Sequence, residues 1–222
     1  MSLTAVLLPS PFLGSAVWEP VAAALRADLG VSAVVADPPV PASADPAVVA
    51  EALAEQLPAG DDLLLVPHSN AGLYVPALAG ARAVRGVVFV DAVLPPPEGE
   101  VPVAPDGLRE LLRERVDGGL LPVWTRWWPE EDVAALFPDA ATRRAVEAQQ
   151  QRVPFDYLTA RVTVTDGWDR IPAAYLAFGD TYAEEREDAR RRGWPVATMA
   201  GDHLHMVVDS GRVAAAIMEL AR

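Results

Sequence analysis

Five short apolar runs constrain this chain more than anything else in it. They are LTAVLLP (3–9), VSAVV (31–35), DDLLLVP (61–67), VRGVVFVD (84–91) and AAYLAFGD (173–180). An apolar run of this length, ended by proline or a polar residue, reads as a strand buried on both faces. The stretches between them carry helix signals. Glu19 onward has helical apolar spacing and closes on Gly30, while Asp45-Pro46 offers an N-cap and a first-turn proline for a helix to about Leu57. Further helices are predicted from Asn70 to about Leu78, from Ala183 to Arg192 and from Asp209 to Arg222, with a last strand and loop in WPVATMAGDHLHM. Strands alternating with helices, too far apart for hairpins, specify a mostly parallel sheet flanked by helices on both faces. The rhythm stops over 98–166, where helices such as Pro105–Val116 and Ala140–Arg152 are predicted and no buried strand stands out. The expected architecture is one α/β domain over 1–222, with 98–166 inserted as a helical cap above the carboxyl edge of the sheet.

Composition narrows the function. The formal charge of −13 argues against nucleic acid and anionic membrane surfaces as partners, because both need a basic face. No apolar run approaches the roughly 18 residues of a membrane span. The opening MSLTAVLLPS lacks the basic residue of a leader, so a cytoplasmic protein is expected. All 18 basic residues are arginine, which removes lysine Schiff-base chemistry, and the absence of cysteine removes thiolate chemistry. Three histidines with scattered acids make no metal set, and no glycine-rich phosphate loop follows a strand. Neither a metal nor a cofactor is expected. A homodimer is possible on these grounds but not required.

In open α/β sheets, ligands bind outside the carboxyl ends of the strands. Those ends carry Ser69, Asp91, Asp180 and His203 here, with His205 two residues beyond. A serine becomes a nucleophile when a base takes its proton and a carboxylate orients that base. The inventory therefore holds one serine, two candidate carboxylates and two candidate histidines, in the chain order Ser, Asp, His. The PHSNA stretch (67–71) puts Ser69 between a strand and a helix. Ser69 as a plain helix N-cap is the competing explanation, weakened by the partners that complete the set. His68 should point away from Ser69, because neighbours on a strand face opposite ways; it is expected to be structural or a cap contact rather than a base, and is also counted with the pocket. Trp124, Trp127 and Trp128 read both as core between cap and sheet and as the lid of an apolar pocket.

These stretches together resemble the α/β-hydrolase superfamily, in particular its short esterase and hydroxynitrile-lyase-like members of an actinobacterial type. LLPSPFLGSAVWEPVAAAL is similar to the segment after the first buried strand, VPHSNAGL to the nucleophile elbow, FVDAVLP to the next strand end, and GDHLHMVVD to the final histidine loop. The resemblance covers nearly the whole chain. It implies Ser69 as nucleophile, His203 as base with His205 as runner-up, and Asp91 slightly ahead of Asp180 as the acid, since GDTY (179–182) has Tyr182 where the common G-x-x-D spacing puts an aspartate. It also implies the Asn70 N–H as one oxyanion donor. Two positions depart from the pattern. Pro67 stands where the elbow usually has glycine, which suggests a less tight turn. Pro11 stands where the second oxyanion donor should be, and proline has no N–H to give; the Phe12 N–H or the Ser10 hydroxyl is the expected substitute. The pocket is expected to include Pro11, His68, the three tryptophans and His205.

The function expected from this reading is a serine hydrolase acting on an ester, lactone or thioester of a small apolar molecule. A lyase, cyclase or isomerase of secondary metabolism on the same fold is the second reading, motivated by the prolines. A degenerate hydrolase that only binds a small molecule is the third.

Overall fold

The computed structural model describes residues 3–39, 45–60 and 62–222. Outside the described residues lie the first two residues of the opening segment and Asp61, at the head of the third apolar run. The chain runs β1 (Thr4–Leu8), α1 (Glu19–Asp28), β2 (Ser32–Val35), α2 (Pro46–Glu55), β3 (Leu63–Ser69), α3 (Val75–Ala81) and β4 (Val84–Ala92). An insertion follows: β5 (Gly99–Pro102), α4 (Asp106–Arg113), β6 (Leu120–Leu121), α5 (Glu130–Ala135), α6 (Ala140–Glu147), β7 (Val153–Pro154), α7 (Phe155–Thr159) and β8 (Arg161–Val164). Then come β9 (Ala173–Phe178), α8 (Ala183–Arg191), β10 (Val196–Met199), α9 (His205–Val208) and α10 (Ser210–Leu220).

The central sheet has the order β10-β9-β4-β3-β1-β2, and every pair in it is parallel. Its middle strands read as unbroken apolar runs because both faces are covered: all seven residues of β3 are buried. Strand order reverses between β1 and β3, since β1 leads to β2 on one side and the chain then returns to β3 on the other. Right-handed crossovers therefore put α1 on one face, where α10 packs against it, and α2, α3 and α8 on the other. The crevice at the carboxyl ends of β1 and β3 is the switch point at which such sheets hold ligands.

Local chemistry sets the boundaries. The Asp45 side chain accepts from the Ala47 N–H at 2.9 Å and caps α2, with Pro46 in its first turn. The helix predicted from Asn70 instead begins as a tight 3-10 stretch over Asn70–Tyr74 before α3. Pro76 explains this: it has no N–H to bond the Gly72 carbonyl, which accepts from the Val75 N–H instead. Gly72 cannot carry a side chain, because a Cβ there would lie 2.0 Å from the Val93 carbonyl oxygen. The first turn after β3 is thus pressed against the exit of β4.

The insertion differs from the helical expectation. It holds two small antiparallel sheets, β5–β8 and β6–β7, among its helices. β8 alternates exposed and buried residues with period two, a strand signal too short at four residues to stand out in sequence. The insertion reaches the carboxyl edge of the main sheet through hydrogen bonds. Asn70 Nδ2 donates to the Val103 carbonyl at 2.8 Å, the Tyr74 and Tyr157 hydroxyls meet, and Gln149 Oε1 accepts the Ala16 N–H at 2.7 Å.

Replacing Gly72 by Ala tests the packing of the elbow. The account expects a loss of roughly 2–4 kcal/mol in urea unfolding, since backbone rather than a movable side chain must give way. A change within about 0.5 kcal/mol would contradict it.

Candidate active site

The site is built where β3 and β4 end together. Their register is His68 opposite Val90 and Ser69 opposite Ala92, so Asp91 is an extra residue in β4. This bulge re-aims its side chain. Asp91 sits at φ 42°, a conformation a non-glycine residue holds only when neighbours fix it. Tyr175 does the fixing: its hydroxyl accepts the Ala92 N–H at 3.0 Å and donates to the Ala92 carbonyl at 2.8 Å. Opposite, Ser69 takes φ 57° and ψ −130°, and its carbonyl accepts the Val93 N–H at 3.1 Å. The sharp strand-to-helix turn therefore forms although Pro67 occupies the usual glycine position. Ala71 is wholly buried behind Ser69, and Gly72 takes the closest approach.

His203 comes from the loop after β10. Its Nε2 lies 3.1 Å from Ser69 Oγ, and its Nδ1 lies 2.7 Å from Asp91 Oδ2. The other carboxylate oxygen of Asp91 accepts the Phe178 N–H at 3.0 Å. Asp91 is completely buried, while Ser69 and His203 keep 6% and 8% exposure, enough for a small reactant to reach them. The carboxylate fixes the imidazole with Nδ1 protonated, which leaves Nε2 as the acceptor for the serine proton. Aromatic rings enclose the imidazole. The His68, Tyr182 and Trp124 centroids stand 4.5, 5.5 and 6.0 Å from it.

The sequence-derived candidates fall into two sets. Ser69, His203 and Asp91 converge. Asp180 does not join them: it faces outward and pairs with Arg186 Nη2 at 3.0 Å. His205 begins α9 and packs edge-on against Phe178, with ring centroids 5.4 Å apart. Asn70, Phe12, Trp124, Trp127 and Trp128 line a cavity of about 730 Å³ that opens on Ser69 and His203. Pro11, His68 and His205 were expected in that lining and are absent from it. Pro11 is buried in the turn after β1. His68 is buried beneath the site, where its Nε2–H donates to the His203 carbonyl at 3.0 Å and its ring meets Trp18 edge-on. Its role is to hold the histidine loop from below. The Phe12 N–H points to Ser10 Oγ at 3.3 Å, so the expected substitute donor is already engaged.

Sequence reasoning passed over three contributors. The Tyr175 hydroxyl and the Phe178 N–H left no signal of their own. Tyr182 was visible only as the residue standing where a G-x-x-D spacing would have an aspartate. Its hydroxyl lies 3.3 Å from Ser69 Oγ. Among the described residues no group of three or more metal-ligating side chains converges, and no helix is long and apolar enough to cross a membrane. A second cavity of about 510 Å³, lined in part by Leu3, Arg85, Trp194 and Arg222, opens at the opposite, amino-terminal edge of the sheet.

Comparison with solved structures decides the architecture. An extracellular α/β-hydrolase from a Paenibacillus species, described as sharing structural and functional homology with tobacco salicylic acid binding protein 2, superposes with a TM-score of 0.76. It is 17% identical, and 99% of each chain is covered. Polyneuridine aldehyde esterase gives 0.72 at 13% identity, with both chains covered in full. The fold is that of the α/β-hydrolases. Tomato methylketone synthase I, complexed with β-ketoheptanoate, shares this fold at a TM-score of 0.64 and 14% identity, over 100% of this chain and 98% of that one. No protein-family model matches the sequence, and no curated protein matches it. Within this α/β-hydrolase fold, the site occupies the crevice at the carboxyl ends of the strands.

His68 makes the folded state sensitive to acid. Burial first, and the neighbouring His203 second, hold its imidazole well below the ordinary 6.5. Below pH 6.5 the unfolded chain binds this proton and the folded chain does not, so stability falls as the pH drops. Urea unfolding between pH 7 and 5 should show a smaller acid loss for His68→Gln than for wild type. The difference should approach 1.4 kcal/mol per pH unit at most. Identical slopes would show that His68 is not held neutral.

Proposed function

We propose that this protein is a serine hydrolase that cleaves an uncharged ester or lactone of a small to medium apolar molecule. One observation carries the reading: Ser69 Oγ, His203 and buried Asp91 form a continuous hydrogen-bonded series, 3.1 and 2.7 Å long, at the wall of an apolar cavity. In this mechanism Ser69 Oγ attacks the carbonyl carbon and its proton passes to His203 Nε2. Asp91 holds the ring in the receptive tautomer and stabilises the imidazolium that forms. The Asn70 N–H, at the start of the turn after the nucleophile, meets the oxyanion. His203 then returns the proton to the leaving oxygen, and water repeats the sequence to free the acid.

The cavity supports the substrate class. Its walls are Phe12, Val101, Leu108, Trp124, Trp127 and Trp128, and its volume suits a ligand of a few rings or an acyl chain. Glu184 and Glu185 also line it, Asp180 stands at its outer rim paired with Arg186, and among the described residues no arginine lines it. That charge disfavours anions, so an uncharged ester or lactone ranks ahead of a thioester on a phosphate-bearing carrier.

A second reading, a lyase, cyclase or isomerase with His203 as general base, draws on two observations. The expected second oxyanion donor is tied to Ser10, and losing one such donor costs about 10²–10³ in rate. The fold is also shared with a methylketone synthase. The two readings part on the serine. On neutral p-nitrophenyl esters, Ser69→Ala should remove turnover and Asp91→Asn should lower kcat by about 10⁴-fold through the wrong imidazole tautomer. Turnover that survives Ser69→Ala but needs His203 would favour the second reading.

A further inference from the structure

The serine, histidine and aspartate leave one polar group at the site unused. The Tyr182 side chain is half-buried beside His203 at the cavity wall, and its hydroxyl meets Ser69 Oγ at 3.3 Å. Among the described residues, Ser69 Oγ is that hydroxyl's hydrogen-bond partner. The direction of the bond follows from the tautomer. His203 Nδ1–H is given to Asp91, so Nε2 accepts the Ser69 proton, and Tyr182 must then be the donor to Ser69 Oγ. Burial pushes the Tyr182 hydroxyl far above its ordinary range, which keeps it a donor at any working pH.

The loop that carries Tyr182 is held for the purpose. Gly179 takes φ 59°, and a Cβ there would meet the Gly201 carbonyl oxygen at 2.8 Å, so the loops after β9 and β10 lie against each other. Arg186 pins the same loop, donating to the Gly179 carbonyl at 2.8 Å and to Asp180 Oδ1 at 3.0 Å. The outward Asp180 thus fixes the segment from which Tyr182 turns inward.

We propose that Tyr182 is a further catalytic residue, whose hydroxyl donates to Ser69 Oγ and stabilises the negative charge that builds on that oxygen. The assignment rests on the serine-hydrolase reading. As the bond from Oγ to the carbonyl carbon forms, the serine proton moves to His203 Nε2 and Tyr182 keeps its own. When the acyl bond breaks in the second half-reaction, Oγ departs as a developing alkoxide, takes its proton back from His203, and again accepts from Tyr182.

Three proteins assayed on one neutral p-nitrophenyl ester test this: wild type, Ser69→Ala and Tyr182→Phe. The phenylalanine ring keeps the packing on His203 and removes only the hydroxyl. The expected result is a kcat roughly 10–100-fold below wild type, with KM and the thermal midpoint unchanged, as for loss of one hydrogen bond to a charged group. A Tyr182→Phe enzyme with wild-type kcat, or with a change in KM alone, overturns the proposal while leaving the serine reading standing. Wild-type turnover that does not depend on Ser69 defeats the serine reading, and the role of Tyr182 falls with it.

Discussion

One extra residue in β4 governs the rest of the site. Because His68 pairs with Val90 and Ser69 with Ala92, Asp91 is squeezed out of register and its carboxylate is turned toward the end of β10. Both residues at this junction take positive φ, at 57° for Ser69 and 42° for Asp91. Strain of this kind costs on the order of 1–3 kcal/mol per residue and persists only where the surroundings over-determine it. Here they do: Tyr175 clamps both backbone groups of Ala92, the Val93 N–H holds the Ser69 carbonyl, and Gly72 lets the following turn close on Val93. Ser69 and Asp91 are placed by one local distortion, which makes their relative placement rigid.

The fold was legible because it rests on long, simple signals. Apolar runs without alternation can only be strands covered on both faces, and the helices between them leave a parallel sheet as the solution. Ser69 and Asp91 were legible for a related reason, since each stands at the end of such a run, and His203 because it follows the last strand in a Gly-Asp-His loop. The structure brings those three together, and leaves Asp180 and His205 outside the array. A carboxylate at a strand end can either turn inward at a bulge or remain in solvent with an arginine, and the one-residue register shift that decides this has no composition of its own. The two-stranded sheets of the insertion escaped for want of length, and Tyr182 escaped because it was judged as a missing aspartate. His68 points away from Ser69, as strand alternation predicts, and lies under the site rather than in the pocket, where it hydrogen-bonds the His203 backbone.

Chemistry and selectivity come from different parts of the chain. In the proposed mechanism the sheet supplies the reacting groups from strand ends and the loop after β10, where small displacements would be costly. The insertion supplies the apolar walls through Val101, Val103, Leu108 and the tryptophans, bound to the sheet by Asn70 and by the Tyr74–Tyr157 pair. One fold carries proteins named as an esterase and as a methylketone synthase, so the fold by itself does not assign the reaction.

The central claim is that the buried array activates Ser69 as a nucleophile. Intact-mass spectrometry after exposure to a fluorophosphonate at neutral pH tests it most directly, because the probe reports the serine without requiring knowledge of the substrate. The account expects one adduct per chain, mapped to Ser69, absent from Ser69→Ala and strongly slowed in His203→Ala. A folded wild-type protein that stays unlabelled, or an adduct that persists in Ser69→Ala, would contradict it.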